Sequence, residues 1–284
     1  MVNVNFNSGT DEMEIRTTKD NEKTTILLGN KAFKVPHHWF WDQFSASWEP
    51  QTLKFFEKYL IPETDFLDIG GWVGPTALIG TALGARTVKV VEPNPTNFFH
   101  LLLTQGANGL FSEWFLVNAC LSKKRASAII GPLQGIASAS SASNIRDQNQ
   151  DGAKVISLKL SDLLLKDEKY SLIKVDIEGA EELIVDELQL FSNHHAAVWF
   201  SLHPPFFSDK KRFATSFLRL QEHFYFIDGD GRLFDQDRLK EMILTDERLP
   251  EWGTKWGNFF EIGLLPKRAF DIEGNRLKPQ TFFQ

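Results

Sequence analysis

Short apolar runs alternate with helix-like stretches through most of the chain. From residue 65 onward the apolar runs are TDFLDI, RTVKVVE, SEWFLVNA, SLIKVDI and AAVWFSL, each bounded by glycine, proline or polar residues. Residues 75–83, 95–105 and 180–190 have helical spacing. Continuous apolar strands that alternate with helices are typical of a parallel sheet covered on both faces. The pattern therefore predicts an α/β fold with a doubly wound, Rossmann-like sheet, to which FYFIDGDGRLF and NFFEIGLLPK add two late strands.

The N-terminal segment has a different pattern. MEIRTT, KTTILLG and KAFKVP predict short strands joined by hairpin turns, and EPQTLKFFEKYL then predicts a helix. We therefore divide the chain into a β-rich N-terminal extension, residues 1–48, and a larger domain, residues 49–284. The small, polar segment GIASASSASNIRDQNQDG reads as a loop, either solvated or lying over the carboxyl edge of the sheet.

Composition narrows the class of partner. The net charge of −6 argues against a nucleic-acid backbone as the main ligand. Cys120 is the only cysteine, so no intrachain disulfide can form. No signal peptide and no apolar run of the ~20 residues needed to cross a bilayer is evident, so we expect a cytoplasmic protein without a membrane span. The aromatic clusters HHWFWDQF and EWGTKWGNFF could pack on an acceptor, pack in the core or form a homodimer contact.

A glycine turn ends the first strand of the predicted sheet. FLDIGGWVG places Asp68, Gly70, Gly71, Trp72 and Gly74 there. The register does not fit the dinucleotide fingerprint G-x-G-x-x-G, which disfavours an NAD-dependent oxidoreductase, and the G-K-[ST] of a P-loop is missing. A carboxylate at this strand end would repel a pyrophosphate but would suit a cationic group.

The next strand ends in a second carboxylate. Glu92 in VKVVEPNP could accept hydrogen bonds from both hydroxyls of a ribose, or it could cap the turn that follows. Together, the two strand ends indicate a nucleoside with a cationic appendage and no essential phosphate. S-adenosylmethionine has that form.

The order FLDIGGWVG, VVEPNPTNFFHLL, NAC, VISLKLSDLL and LIKVDIEGAEELIV resembles the FkbM family of S-adenosylmethionine-dependent methyltransferases, over residues 49–266. The resemblance implies a class I methyltransferase sheet of seven strands in the order 3-2-1-4-5-7-6, with the last strand antiparallel. It also implies methyl transfer to a hydroxyl of a sugar, polyketide or glycan, with S-adenosylhomocysteine as the product.

The resemblance also assigns cofactor-binding residues. It implies that Gly70 and Gly74 shape the cofactor turn, that Asp68 lies at the methionine end, and that Glu92 binds the ribose. The other cofactor-binding residues are Gly71, Trp72, Pro93, Asn118, Ala119 and Asp176, with Asn118 and Ala119 expected near adenine. This chain has Gly71-Trp72 where the family usually has Ala-Asn, so Trp72 could pack on the cofactor or cover part of its pocket. Ser201 stands where a glutamate is common.

Three charges alternate in LIKVDIEGAEE, namely Lys174, Asp176 and Glu178. On a strand they would point to one face. A Lys174–Asp176 pair that only holds the shape of the site is one interpretation. In the other, Asp176 and Glu178 orient the acceptor, take its proton or hold a metal.

His203 in SLHPPFF follows the fifth strand of the sheet, next to the fourth. The segment HPPF is similar to the N-P-P-[FY] box of enzymes that methylate DNA bases. It differs from that box because it follows the fifth strand and because histidine replaces the asparagine. His203 could act as a general base or orienter, ligate a metal or cap the strand structurally. Because the spacing carries no metal signature, we assign no metal ligand, although a divalent ion is conceivable.

The sequence thus predicts Asp176, Glu178 and His203 as catalytic residues of an O-directed methyltransferase with a small-molecule or glycan acceptor. The alternatives are a catalytically silent binding module of the same fold, with Trp72 filling the cofactor pocket, and the less favoured oxidoreductase.

Overall fold

A computed structural model describes residues 13–19, 24–45, 47–132, 143–146, 152–245 and 259–277. The strands, in chain order, are β1 (Ile15–Lys19), β2 (Thr24–Leu28), β3 (Lys31–Val35), β4 (Asp65–Ile69), β5 (Thr87–Val91), β6 (Trp114–Val117), β7 (Ala119–Leu121), β8 (Ala126–Pro132), β9 (Ser143–Arg146), β10 (Ala153–Leu158), β11 (Tyr170–Val175), β12 (Ala197–Leu202), β13 (Phe224–Ile227) and β14 (Phe260–Pro266). The α-helices are α1 (Pro50–Tyr59), α2 (Pro75–Ala82), α3 (Pro95–Asn108), α4 (Glu181–Ile184), α5 (Lys210–Arg219) and α6 (Gln236–Leu244). Short 3-10 helices span Trp39–Asp42, Leu160–Asp162, Val185–His194, Pro204–Phe206 and Leu220–Glu222.

Seven strands form the central sheet in the order β6-β5-β4-β11-β12-β14-β13. Numbered by their place in the chain, these strands follow the order 3-2-1-4-5-7-6, which confirms the prediction. The first five pair in parallel, while β14 runs antiparallel to both β12 and β13. The predicted antiparallel last strand is therefore confirmed as well.

Each face of this sheet carries its own hydrophobic core. All five residues of β4 are buried, with Phe66 in one core and Leu67 and Ile69 in the other. This is the alternation that a strand covered on both faces requires. It explains why the strands read as continuous apolar runs rather than as alternating ones.

The N-terminal extension packs on one face of the sheet. Strands β1, β2 and β3 form an antiparallel sheet, as the hairpin pattern predicts. Ile26, Phe33 and Trp41 share a core with Phe66 of the central sheet. The predicted boundary between residues 48 and 49 stays a prediction.

Strands β7, β10, β8 and β9 form a further four-stranded sheet beside the main one. Most of the polar segment, residues 135–152, lies outside the described residues, but its described part includes β9, so the prediction of a loop is wrong there. Most of EWGTKWGNFF also lies outside the described residues. Within the described residues, none of the helices combines the length and apolar character that a membrane span requires.

Candidate active site

A cavity of about 270 Å³ lies at the carboxyl ends of β4, β5 and β11. Parallel α/β sheets bind their ligands at this edge. The predicted site residues that line the cavity are Gly70, Gly71, Trp72, Glu92, Pro93, Ala119, Asp176 and Glu178. The predicted site residues outside its lining are Asp68, Gly74, Asn118 and His203.

Backbone hydrogen bonds hold the glycine turn after β4. The amides of Gly70 and Gly71 both donate to the carbonyl of Val91, over 2.8 and 3.1 Å. Gly70 has a φ of 83°, and a Cβ here would overlap the carbonyl oxygen of Asp176. Gly70 therefore lets the backbones after β4 and β11 approach closely, a packing role that is separate from any ligand contact. Gly74, with a φ of 101°, is the N-cap of α2.

Trp72 belongs to an aromatic cluster at the edge of the cavity. Its ring centroid lies 4.4 Å from that of Phe40, 6.0 Å from that of Trp39 and 5.7 Å from that of His38. The indole is thus held by residues of the HHWFWDQF segment and contributes to the wall, with the cavity open beside it.

Glu92 is buried at the end of β5 and already accepts several hydrogen bonds. Its Oε2 accepts from the amide of Trp72 at 2.9 Å. Its Oε1 accepts from the amide of Asn94 at 2.8 Å and from Asn97 Nδ2 at 3.4 Å. Burial raises the pKa of Glu92 to about 7, although these hydrogen bonds favour the ionised form. The side chain therefore organises the turn, as the structural interpretation proposed, and it also lines the cavity.

Asn118 and Ala119 follow β6 and differ in position. Asn118 Nδ2 donates to the carbonyls of Glu92 at 2.8 Å and Pro93 at 3.1 Å, so it ties the two strand ends together. Ala119 lines the cavity, and so does the apolar side chain of Ile130 on β8.

Lys174 connects two of the predicted carboxylates. Its Nζ donates to the carbonyl of Gly70 at 2.9 Å and lies 3.3 Å from Asp176 Oδ2 and 3.7 Å from Asp68 Oδ1. Asp68 has no exposed surface, and its Oδ2 accepts from Thr76 Oγ1 at 2.7 Å. Burial raises the pKa of Asp68 although Lys174 and Thr76 favour its charged form. The ammonium group that Asp68 faces is therefore that of Lys174, and Thr76, Lys174 and Asp176 line the cavity whereas Asp68 does not.

His203 lies among carboxylates after β12. Its Nδ1 is 2.8 Å from Glu181 Oε1, and its Nε2 is 3.5 Å from Asp176 Oδ1 and 3.6 Å from Glu178 Oε2. Burial alone would lower the pKa of His203, but the three carboxylates raise it to about 10. A protonated imidazole cannot take a proton, which favours an orienting role over general-base catalysis. A cation bound beside Nε2 would compensate the negative charge of the same carboxylates in place of the proton.

Glu178 reaches this cluster by a turn rather than along a strand. Strand β11 ends at Val175, so the predicted strand alternation out to Glu178 is wrong. The amide of Asp176 still donates to the β4 carbonyl of Ile69, over 2.9 Å. Beyond it Glu178 and Gly179 have φ angles of 54° and 98°. These left-handed conformations reverse the chain and direct the carboxylate toward His203.

Besides Glu181, the sequence analysis did not predict two carboxylates near the cavity, Glu49 and Glu261. Glu49, which lines the cavity, and Glu261 share Thr52, whose Oγ1 lies 3.1 Å from Glu49 Oε2 and 2.9 Å from Glu261 Oε1. Trp199 Nε1 donates to the same hydroxyl over 2.9 Å. Burial raises the pKa of both carboxylates, that of Glu261 to about 6. Glu49 precedes Pro50, so the sequence indicates only the start of a helix at this position. Glu261 could have been predicted as a site residue, because an antiparallel last strand begins at the carboxyl edge of the sheet.

Acidic side chains outnumber basic ones around the cavity in the described part of the chain. The acidic residues are Glu49, Asp68, Glu92, Asp176, Glu178, Glu181 and Glu261, and the basic residues among them are Lys174 and His203. Such an excess favours a ligand that carries positive charge.

The sequence also matches a known family. The model of the family described as Methyltransferase FkbM domain matches residues 68–227, more than half of the chain. The matched region runs from the end of β4 to the end of β13 and contains the glycine turn, Glu92, Asp176 and His203. No curated protein matches the chain.

Several solved structures are similar to the chain. Methyltransferase FkbM from Methylobacillus flagellatus KT is 15% identical with a TM-score of 0.39, over 62% of this chain and 48% of that one. A proposed rRNA methylase from Clostridium thermocellum is 8% identical with a TM-score of 0.45, over 76% and 94% of the two chains. The ribosomal protein L11 methylase from Lactobacillus delbrueckii subsp. bulgaricus is 16% identical with a TM-score of 0.38, over 76% and 75%. The chain spans about half the length of the Methylobacillus protein, and because all three scores lie below 0.5 we take the fold from the strand order itself.

Proposed function

The chain belongs to the FkbM methyltransferase family, and from that premise we propose that it transfers the methyl group of S-adenosylmethionine to a hydroxyl of a sugar, glycan or polyketide-like small molecule. The observation that carries the proposal is the cavity at the carboxyl edge, where Glu92 and Asp176 meet the glycine turn. S-adenosylmethionine supplies a methyl group on a positively charged sulfur, and the product is S-adenosylhomocysteine.

Each part of the cofactor has a suitable partner in the cavity wall. Glu92 would accept hydrogen bonds from the ribose hydroxyls, a role supported by its place in the cavity wall with Pro93. The apolar wall around Ala119 suits adenine. Asp176, held by Lys174, suits the ammonium group of the methionine end, and the excess of carboxylates suits the sulfonium.

Methyl transfer requires alignment more than acid–base chemistry. The acceptor oxygen forms a bond to the methyl carbon while the carbon–sulfur bond breaks, its electron pair stays on sulfur and the hydroxyl proton is lost. We propose that Asp176, Glu178 and His203 orient the acceptor hydroxyl, and that a carboxylate of this group or water receives its proton.

The acceptor class follows from charge. With a net charge of −6 and a strongly acidic cavity, the chain is better suited to a neutral or cationic small molecule or glycan than to nucleic acid. A cytoplasmic location remains part of this proposal.

Calorimetric titration with S-adenosylhomocysteine tests the proposal. We expect micromolar binding by the unmodified protein. Glu92→Ala should weaken it tenfold or more, about 1.4 kcal/mol, because the ribose hydroxyls lose their acceptor. The matched control is Glu241→Ala on α6, whose carboxylate is largely exposed and which should bind as the unmodified protein does.

Two results would contradict the proposal. If the unmodified protein does not bind S-adenosylhomocysteine, the catalytically silent binding module becomes the better account. If NAD binds instead, the protein belongs with the oxidoreductases despite its glycine turn.

A further inference from the structure

We propose that Asp176, Glu178 and His203 form a binding site for a divalent metal ion of the Mn²⁺ type. The inference rests on the proposed function only for the use of the ion, which would bind the oxygen of the methyl acceptor. Binding of the ion itself depends on these three side chains alone.

The geometry of the three side chains fits shared ligation. One ligand atom from each lies within 4.8 Å of the others. His203 Nε2 is 3.5 Å from Asp176 Oδ1 and 3.6 Å from Glu178 Oε2. These separations are long for hydrogen bonds. They are close to the ~3–3.5 Å that separates neighbouring ligands placed about 2.1 Å from one ion.

The histidine is an independent sign of a ligand. Its side chain is 8% exposed, and within the described residues its Nε2 makes no hydrogen bond although it is directed at two carboxylates. Its Nδ1 is fixed by the fully buried Glu181, at 2.8 Å from Oε1. In metal sites a carboxylate commonly holds the second nitrogen of a ligating histidine in this way, which sets the tautomer and the orientation of the ring.

The local charge requires compensation. Asp176, Glu178 and Glu181 surround the imidazole of His203. The ammonium group of Lys174 pairs with both Asp176 and Asp68, so it compensates Asp176 only in part. A divalent ion at Nε2 would neutralise the two carboxylates that reach the cavity and would take the place of a proton on that nitrogen.

The donor set indicates the class of ion. Two carboxylate oxygens and one imidazole nitrogen suit Mn²⁺ and related ions better than the sulfur-rich or histidine-rich sets that Zn²⁺ prefers. Three protein ligands leave coordination positions open, and Asp176 and Glu178 both line the cavity. An acceptor with one hydroxyl, or with two on neighbouring carbons, could occupy those positions, and the ion would favour loss of the hydroxyl proton.

Titration of the chelator-treated full-length protein with MnCl₂ tests the site. The electron paramagnetic resonance signal of free aqueous Mn²⁺ reports binding directly, without any assay of activity. We expect one Mn²⁺ per chain with micromolar affinity, and at least a tenfold weaker affinity in His203→Gln and in Glu178→Gln. Glu178 is partly exposed, so its variant keeps the test valid if His203→Gln does not fold.

The matched control removes a cavity carboxylate outside the cluster. Glu49→Gln should retain most of the Mn²⁺ affinity, which separates ligation from general attraction to an acidic cavity. Absence of Mn²⁺ binding at millimolar concentration, or unchanged affinity in Glu178→Gln, would overturn the site. Binding of Zn²⁺ without Mn²⁺ would overturn the assigned class of ion.

A parallel titration with S-adenosylhomocysteine keeps the two proposals apart. Mn²⁺ binding without S-adenosylhomocysteine binding would retain the metal site and refute the methyltransferase. The reverse result would refute the metal site alone.

Discussion

The two ends of strand β4 each bury an aspartate, Asp65 at the amino end and Asp68 at the carboxyl end. Asp65 accepts two hydrogen bonds from the guanidinium of Arg86, at 3.0 and 2.6 Å. It accepts two more from Thr87 Oγ1 and the amide of Lys169, each at 2.7 Å. Burial alone would raise the pKa of Asp65, but these donors lower it below 3.8.

Asp68 has far fewer donors. Thr76 donates to Oδ2, while Oδ1 is buried, accepts no hydrogen bond from the described residues and has Lys174 at 3.7 Å. The same residue type on the same strand therefore has a lowered pKa at one end and a raised pKa at the other. The amino end satisfies its charge from within the chain, whereas the carboxyl end keeps an excess of negative charge that a cationic ligand can compensate.

Removal of Lys174 at the carboxyl end should have the largest effect on this comparison. Lys174→Met leaves Asp68 and Asp176 buried or partly buried without their shared cation, so we expect a loss of about 3–5 kcal/mol in the free energy of unfolding. Urea denaturation measures it. Lys240→Met, at an exposed position of α6, is the control and should stay within about 0.5 kcal/mol of the unmodified protein. A loss below about 1 kcal/mol in Lys174→Met would mean that the carboxyl end does not depend on this cation.

Exchange of each aspartate for asparagine should separate stability from binding. Asp65→Asn should lower the free energy of unfolding by about 2–3 kcal/mol, because an amide nitrogen then faces the donors of Arg86 and Lys169. It should leave S-adenosylhomocysteine binding unchanged. Asp68→Asn should change stability by less than about 1 kcal/mol. It should weaken binding severalfold, because Lys174 then pairs with Asp176 alone and competes with the ammonium group of the ligand.

The pH dependence of the free energy of unfolding tests whether ionised Asp65 stabilises the fold. Because its folded-state pKa is lowered, its contribution to stability is present above the usual value of 3.8 and is lost as the pH falls through the folded-state pKa. The unmodified protein and Asp65→Asn should therefore converge in stability under acid conditions. Equal losses of stability in the two asparagine variants at neutral pH would contradict the comparison.

The fold was predictable because the strands of the central sheet are buried on both faces and are therefore apolar along their whole length. The apolar runs of β4, β5, β11 and β12 are continuous, and their strand order followed from the family resemblance. The sequence does not mark the end of β11, because the charged residues after Val175 continue the alternation that is typical of a strand. Gly179 was the available signal of a turn, but nothing in the spacing said that Glu178 would itself adopt a left-handed conformation.

The candidate site was only partly predictable because its members meet through tertiary structure. Asp176 and His203 could be brought together from the strand order alone. Glu49 and Glu261 lie far apart in sequence and meet at Thr52 only because α1 packs beside the start of β14. Glu181 is close in sequence to the predicted residues, one helical turn after Glu178. Its contact with His203 depends on the turn at Glu178 and Gly179, which the sequence does not predict.

An effect smaller than the losses of stability expected for Lys174→Met and Asp65→Asn concerns the pH dependence of cofactor binding at Glu92, the carboxylate at the end of the neighbouring strand. Its pKa of about 7 reflects burial, and donation by ribose hydroxyls would favour its ionised form. Affinity for S-adenosylhomocysteine should therefore rise by up to about tenfold between pH 6 and 8 and flatten above the pKa. Calorimetry across that range measures it.

Two variants test whether Glu92 is the source of that pH dependence. Glu178, with a pKa raised to about 6 by burial and nearby carboxylates, titrates in the same cavity, so the decisive comparison is with Glu92→Gln. That variant should bind more weakly and lose most of the slope, whereas Asp65→Asn at the amino end should keep it. If the affinity of Glu92→Gln for S-adenosylhomocysteine still rises with pH, another group causes the pH dependence. Glu92 would then not be one of the carboxylates whose charge the ligand compensates.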